Sequence, residues 1–435
     1  MTPRCAGALG LLLFAAAAAA RGAAGAGAPR PDPRALALAT PRPVRWLAPL
    51  EPGRLVALDA GGGLAVVELG PAGLALRARH EGVVAAESAP APLRCGAGGR
   101  AAAAVAADGR LTLWTPGGLR TVALGVPLST YAPPLAVPVA GAACEDLLAI
   151  DQQGALVLVT DLAATPRVAA RLEVDALPDA RVVALGGDEV AVLAAPTRRY
   201  RHGALGDRFE ASAVILAAVG PGRLTQRGRF IEPPESVLED LRVIPADVDG
   251  DGRPELLVSR SYRERGAAVL VLARTRRGWR PLAESEPVGA ERRWRHTLGA
   301  ADLDGDGRVE IVSVRTPHQG GVVEAWRRAG ERLTLVANHA GAASHVPGSR
   351  NVEQAALGDV DGDGRPEVVV PAPARDALVG LALAPGGFQG RWRHGLGGPL
   401  ASNVVVADLD GDGRVDLAVA DEGALHVRPA DGGPR

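Results

Sequence analysis

Asp247, Asp249 and Asp251 stand at alternate positions in the stretch DVDGDGRPE, which Glu255 closes. Glycines at its fourth and sixth places let the backbone bend sharply, so the three carboxylates can converge on one point. A backbone carbonyl at the seventh place and the acid at the ninth add further oxygens. Hard oxygen donors in a flexible cage suit Ca²⁺, whereas Mg²⁺ asks for a stricter octahedron with more water and Zn²⁺ for nitrogen or sulfur. Carboxylates this dense repel one another when no cation is present.

The stretch recurs as DLDGDGRVE at 302–310, DVDGDGRPE at 359–367 and DLDGDGRVD at 408–416. Asp-Gly clusters are also ordinary surface turns, but four copies with acids at places 1, 3, 5 and 9 point to cation binding. An EF-hand loop requires a bidentate Glu at place 12 and a helix on each side. Place 12 here is Val258, Ser313, Val370 and Val419, and the flanks are rich in Val, Leu and Ile. A calcium sensor that opens a helix pair is therefore excluded.

The elements holding these loops repeat with them. First aspartates lie 55, 57 and 49 residues apart, a period that marks propellers and related arrays. Each loop follows a short apolar run (LRVIPA, HTLGAA, EQAALG, NVVVA) and precedes a second (LLVS, IVSV, VVVP, LAVA), and a third comes after a further turn. Such runs bounded by Gly and Asp read as strands, and four per repeat make a propeller blade. Segments 54–70, 101–118, 145–161 and 181–220 carry the same rhythm without the acidic loop.

The expectation is an all-β chain: a β-propeller of four-stranded blades, eight in number, or seven if two early units are one. Blades start near 43, 91, 135, 180, 240, 296, 353 and 402. The last is one strand short, and a strand from about Ala35–Thr40 would complete it. Residues 1–28 are then a signal peptide, 29–42 a linker with the possible ring-closing strand, and 43–435 the propeller. Blades five to eight, about 240–435, carry the calcium loops.

At these loops the chain resembles the FG-GAP/VCBS-repeat β-propellers, which include the integrin α-subunit propeller and share the pattern D-x-D-x-D-G-x-x-[DE]. The resemblance places each loop between the first two strands of a blade and implies up to four structural Ca²⁺ ions. Its ligands would be Asp247, Asp249, Asp251 and Glu255; Asp302, Asp304, Asp306 and Glu310; Asp359, Asp361, Asp363 and Glu367; and Asp408, Asp410, Asp412 and Asp416. Arg253, Arg308, Arg365 and Arg414 would contribute only their backbone carbonyls. The likeness covers roughly residues 240–420, while the N-terminal blades lack the loop and the Phe-Gly/Gly-Ala-Pro signature is poorly kept.

A formal charge of −1 gives no reason to expect nucleic acid as a partner. The N-terminus has one early arginine, an apolar stretch from about Ala6 to Ala20, and A-x-A patterns after it. That stretch falls short of the roughly 20 residues that span a bilayer, so it reads as a cleaved signal rather than an anchor. No membrane span is expected after cleavage, and the compartment is secreted or periplasmic. Cys95 and Cys144 then remain, either as one disulfide or as free buried thiols.

In a propeller, second-to-third-strand loops and inter-blade segments share the face opposite the acidic hairpins. That face collects Arg199, Tyr200 and His202 in TRRYRHGALGDRF, and Tyr262 and Arg263 in RSYRERG. RTPHQGG and SHVPGSRN add to it, as does a tripeptide WRH that occurs twice, with Trp294 and His296, then Trp392 and His394. Arginine grips carboxylate or sulfate, and Trp or Tyr stacks on a sugar, which suits a protein or glycan ligand, an anionic one included. Competing with this are a merely solvated arginine-rich face and a WRH that packs blades together. Binding or scaffolding is the expected function, with a polysaccharide-modifying, lyase-like enzyme using a His/Tyr/Arg site as the alternative.

Overall fold

The computed structural model describes residues 35–96, 99–139, 143–289 and 292–430. The signal peptide expected at 1–28 lies outside these residues, as does the start of the 29–42 segment. Every regular element described is a strand, and none is a helix. Among the described residues no helix is long and apolar enough to cross a membrane.

Seven blades follow one another as antiparallel four-stranded meanders over residues 44–80, 91–122, 135–173, 183–231, 244–285, 295–342 and 356–395. The eighth takes three strands from 405–428 and its fourth from Leu36–Ala39, which pairs antiparallel with Ala424–Arg428. The ring is thus sewn shut by joining its two ends within one blade. Blade four meets blade five through Ser236–Leu238, which pairs with strands of both. The outer strands of blades five and six touch in parallel at Glu284–Arg332 and Ser285–Leu333.

Middle strands such as Asp146–Ile150, Glu367–Pro371 and Asp416–Ala420 are buried at every residue. Both faces of a blade are covered by its neighbours, so these strands are continuous apolar runs rather than alternating ones. Outer strands such as Arg223–Ile231 face solvent and alternate with charge. Apolar clusters fill the gaps between adjacent blades: Leu257, Val271 and Ile311 lie between five and six, Val314, Val368 and Leu381 between six and seven, and Leu47, Leu55 and Leu425 across the closure. Cys95 and Cys144 are joined in a disulfide that links the first strand of blade two to the connection leading into the second strand of blade three.

Candidate functional site

Each acidic stretch forms the hairpin between the first and second strands of its blade, as at Ile244–Ala246 and Glu255–Tyr262. The hairpins of blades five, six and eight share one hydrogen-bond scheme, and blade seven keeps it except at Asp359 Oδ1. In blade five, Asp247 accepts from the amides of Gly250 and Gly252 at 2.8 and 2.9 Å, Asp251 from Arg253 at 2.8 Å, and Glu255 from Val248 at 2.9 Å. Glu310, Glu367 and Asp416 take the same amide in their own loops at 2.9 to 3.0 Å. Gly250 and Gly252 sit at φ 76° and 82°, a left-handed backbone that explains why both places are glycine in every copy.

These bonds aim carboxylate oxygens at a common centre. Ligand atoms of Asp359, Asp361, Asp363 and Glu367 all lie within 4.8 Å of one another, as do those of Asp247, Asp249 and Asp251, of Asp302, Asp304 and Asp306, and of Asp408, Asp410 and Asp416. Burial raises the carboxyls of Glu255, Glu310 and Asp416 and pushes Glu367 up to about 7. In blade seven Asp359 Oδ1 and Glu367 Oε1 are buried without a hydrogen-bond partner. Orphaned buried carboxylate oxygens fit a hard cation, and the all-oxygen donor set fits calcium in particular.

The opposite face holds a different chemistry. The long loop after Glu189–Thr197 walls a cavity of about 530 Å³ lined by Arg198, Arg201, His202, Gly203, Asp207 and Arg208. Arg198 lies over the ring of Phe209, 4.5 Å from its centroid, and all three arginines are exposed. Arg201 and Arg208 form no ion pair among the described residues, and Asp207 is engaged by Arg350 at 3.0 Å. His202 is fixed from behind, with Nδ1 2.6 Å from Oε1 of the fully buried Glu239. Glu239 also accepts from the Ser261 hydroxyl. Tyr200 is buried beside His202, ring centroids 6.0 Å apart, and burial raises its pKa.

Trp294 and His296 lie deeper. The indole donates to the Glu239 carbonyl at 3.0 Å and stacks on His296 with centroids 5.3 Å apart. Ser344 Oγ sits between His296 Nδ1 at 2.9 Å and His345 Nδ1 at 3.0 Å, and His345 Nε2 meets His318 Nε2 at 3.0 Å. Burial lowers His296 to about 3, His318 to about 4, and His345 well below its usual value. These rings are neutral at pH 7 and act as polar packing between blades.

The remaining candidates lie apart from the cavity. Arg199 donates to the carbonyls of Ser236, Pro233 and Glu232, which ties the loop to the scaffold, and Arg263 reaches the Arg199 carbonyl at 3.3 Å. Tyr262 donates to Glu284 at 2.7 Å beneath Arg265. Trp392 and His394 are not in an inter-blade segment: both belong to the outer strand Gly387–Gly395 of blade seven. Trp392 turns toward the acidic hairpin, and His394 is buried beside His426 with ring centroids 5.8 Å apart. The two WRH copies therefore occupy unrelated places. Glu239 escapes a reading by motif because nothing but three-dimensional proximity joins it to His202.

Comparison with known proteins agrees with this architecture. The FG-GAP-like repeat family matches residues 247–313 and 302–370, and the FG-GAP repeat family matches 351–391. Integrin alpha-X of Mus musculus is 26% identical over 206 residues, 41% of this chain and 17% of that protein. Integrin alpha-X of Homo sapiens is 29% identical over 196 residues, 39% of this chain and 16% of that protein. The chain thus spans less than a fifth of the length of these curated relatives. The crystal structure of the C-terminal WD40 domain of Sif2 superposes with a TM-score of 0.54 at 13% identity, covering 92% of this chain and 98% of that one, a likeness of fold alone. Residues 247–391 match the FG-GAP repeat families, and the fold that carries them is a β-propeller of four-stranded blades.

Proposed function

We propose that this protein is a secreted or periplasmic, calcium-stabilised propeller that binds an acidic group of a protein or glycan on the face opposite its calcium hairpins. The observation that carries the proposal is the cavity at Arg198, Arg201, His202 and Arg208, whose guanidiniums outnumber the single carboxylate of Asp207. Arginine forks grip carboxylate, sulfate or phosphate with two parallel hydrogen bonds. The likeness to integrin alpha-X makes a protein the first ligand class to test. The Cys95–Cys144 disulfide supports an oxidising compartment.

Calcium acts here as structure. An ion that binds only the folded hairpins stabilises them in proportion to the logarithm of its concentration. Chelation with EDTA is expected to lower the melting temperature, and added calcium to restore it. Screening the calcium-loaded protein against acidic glycans and peptides is expected to give binders that weaken with salt. Identical melting with and without chelator removes the calcium half of the proposal, and failure of every acidic probe removes the other.

A second reading, a lyase-like enzyme acting on an anionic polysaccharide, draws on the His202–Glu239 pair. A buried carboxylate on Nδ1 orients the imidazole and supports Nε2 as a general base. Release of unsaturated product from uronate polymers, lost in His202→Ala, is its test.

A further inference from the structure

The four hairpins differ in the strand that stands behind them. In blade six Ile311 pairs with Trp326, so the next step along the ladder brings Arg327 beside Glu310. The guanidinium reaches into the acidic loop. Its Nη2 lies 3.0 and 2.9 Å from the two carboxylate oxygens of Asp304 and 3.0 Å from Asp306 Oδ2, while Nε donates to Glu310. Three of the loop's four acids thus already share one positive charge, held on a side chain that is 17% exposed.

Among the described residues no other blade supplies such a group from that place. Leu256 pairs with Leu272, Val368 with Leu381 and Leu417 with Arg428. The same step onward puts Ala273, Ala382 and Pro429 opposite Glu255, Glu367 and Asp416. The arginine is therefore written into the sequence of blade six alone. Arg391 does approach the blade-seven loop, at 2.8 Å from Asp361 and 2.9 Å from Asp363, but it comes from the outer strand and is 42% exposed. It also leaves the buried oxygens Asp359 Oδ1 and Glu367 Oε1 without a partner. Glu310, by contrast, is turned to Arg327.

We infer that Arg327 is a built-in counter-ion that takes the place of a metal in blade six, so the propeller binds three calcium ions, in blades five, seven and eight. This rests on the reading of the hairpins as calcium sites. A guanidinium cannot lose its proton under ordinary conditions and pairs with carboxylates through its planar fork, so it competes with an incoming ion at every pH of interest. The blade-six hairpin then keeps its shape whether or not calcium is present.

The test is a count of calcium per chain, by equilibrium dialysis of the full-length protein followed by atomic emission. Three ions are expected for the unaltered chain and four for Arg327→Ala. Four in the unaltered chain, or three in Arg327→Ala, overturns the inference while leaving calcium binding intact. No bound calcium at all overturns the calcium reading and the inference together. Should Arg327→Ala fail to fold, hydrogen exchange on the unaltered protein decides. Chelation is expected to deprotect amides of 247–255, 359–367 and 408–416 and to spare 302–310, and equal deprotection of all four overturns the inference.

Discussion

The indole Nε1 of Trp392 donates to Glu367 Oε2 at 3.3 Å, tying the outer strand of blade seven to the ninth-place acid of its hairpin. The ring fits because position 380 is glycine: a Cβ there would meet Trp392 Cε2 at 2.2 Å. Gly380→Ala is expected to destabilise the protein by about 1–3 kcal/mol, the usual cost of overpacking a filled site. Chemical denaturation measures it. Trp392 also reports on its partner, so calcium addition is expected to change tryptophan emission, and Trp392→Phe to remove most of that change.

The acids and histidines predict a stability profile with two limbs. Glu367 has its pKa raised by burial to about 7 in the metal-free fold. The folded state therefore holds a proton that the unfolded state has released, and chelated protein loses stability as pH rises from about 4.5 to 7. Glu255, Glu310 and Asp416 shift in the same direction. His296 and His318, lowered by burial to about 3 and about 4, act oppositely: the unfolded chain binds protons first, so stability is lost as pH falls below about 6.5. Melting curves in EDTA are expected to peak between these limbs. Calcium should abolish the upper limb and leave the lower one, and an unchanged upper limb would count against ion binding at Glu367.

Two copies of one tripeptide are expected to respond differently to one substitution. Arg295 is buried, pairs with Glu324 at 2.9 Å and donates to Ala267, Ser285 and Glu286 of the preceding blade at 2.8 to 3.0 Å. Arg295→Met strands these groups and is expected to cost about 3–5 kcal/mol. Arg393 is exposed and, among the described residues, reaches only Asp376, at 3.4 Å. Arg393→Met is expected to stay within about 0.5 kcal/mol. Urea titration of both variants measures the difference.

The cavity arginines can be tested without disturbing the scaffold. Arg201 and Arg208 are exposed and, among the described residues, outside the ion-pair network. Arg201→Ala and Arg208→Ala are each expected to weaken an acidic probe several-fold and to flatten its salt dependence, with melting unchanged. Equal affinity in both variants would move the binding surface elsewhere.

The blade rhythm and the four hairpins are legible in the sequence because their causes are local. A left-handed turn demands glycine, converging oxygens demand alternate acids, and a strand buried on both faces is a short apolar run. Trp392 and His394 mislead because RWRHGLGG carries the charge of a loop, yet an outer strand with one wet face tolerates arginine at alternate positions. Arg327 is legible only once register is known, since 17 residues separate it from Glu310. Glu239 stands 37 residues from His202, and their meeting depends on how blade four docks on blade five.

The seam at Leu36–Ala39 imposes an order of events. Its partner, Ala424–Arg428, lies at the far end of the chain, so nearly every intervening residue must be made before the pair can form. Until then Leu36–Ala39, the fourth strand of blade eight, is an unclaimed edge, open to pairing with any other chain. Closing so long a loop comes at a large entropic disadvantage and belongs among the slow steps of maturation. A ribosome or export channel that releases the chain from its N-terminus thus delivers the latch first and the catch last.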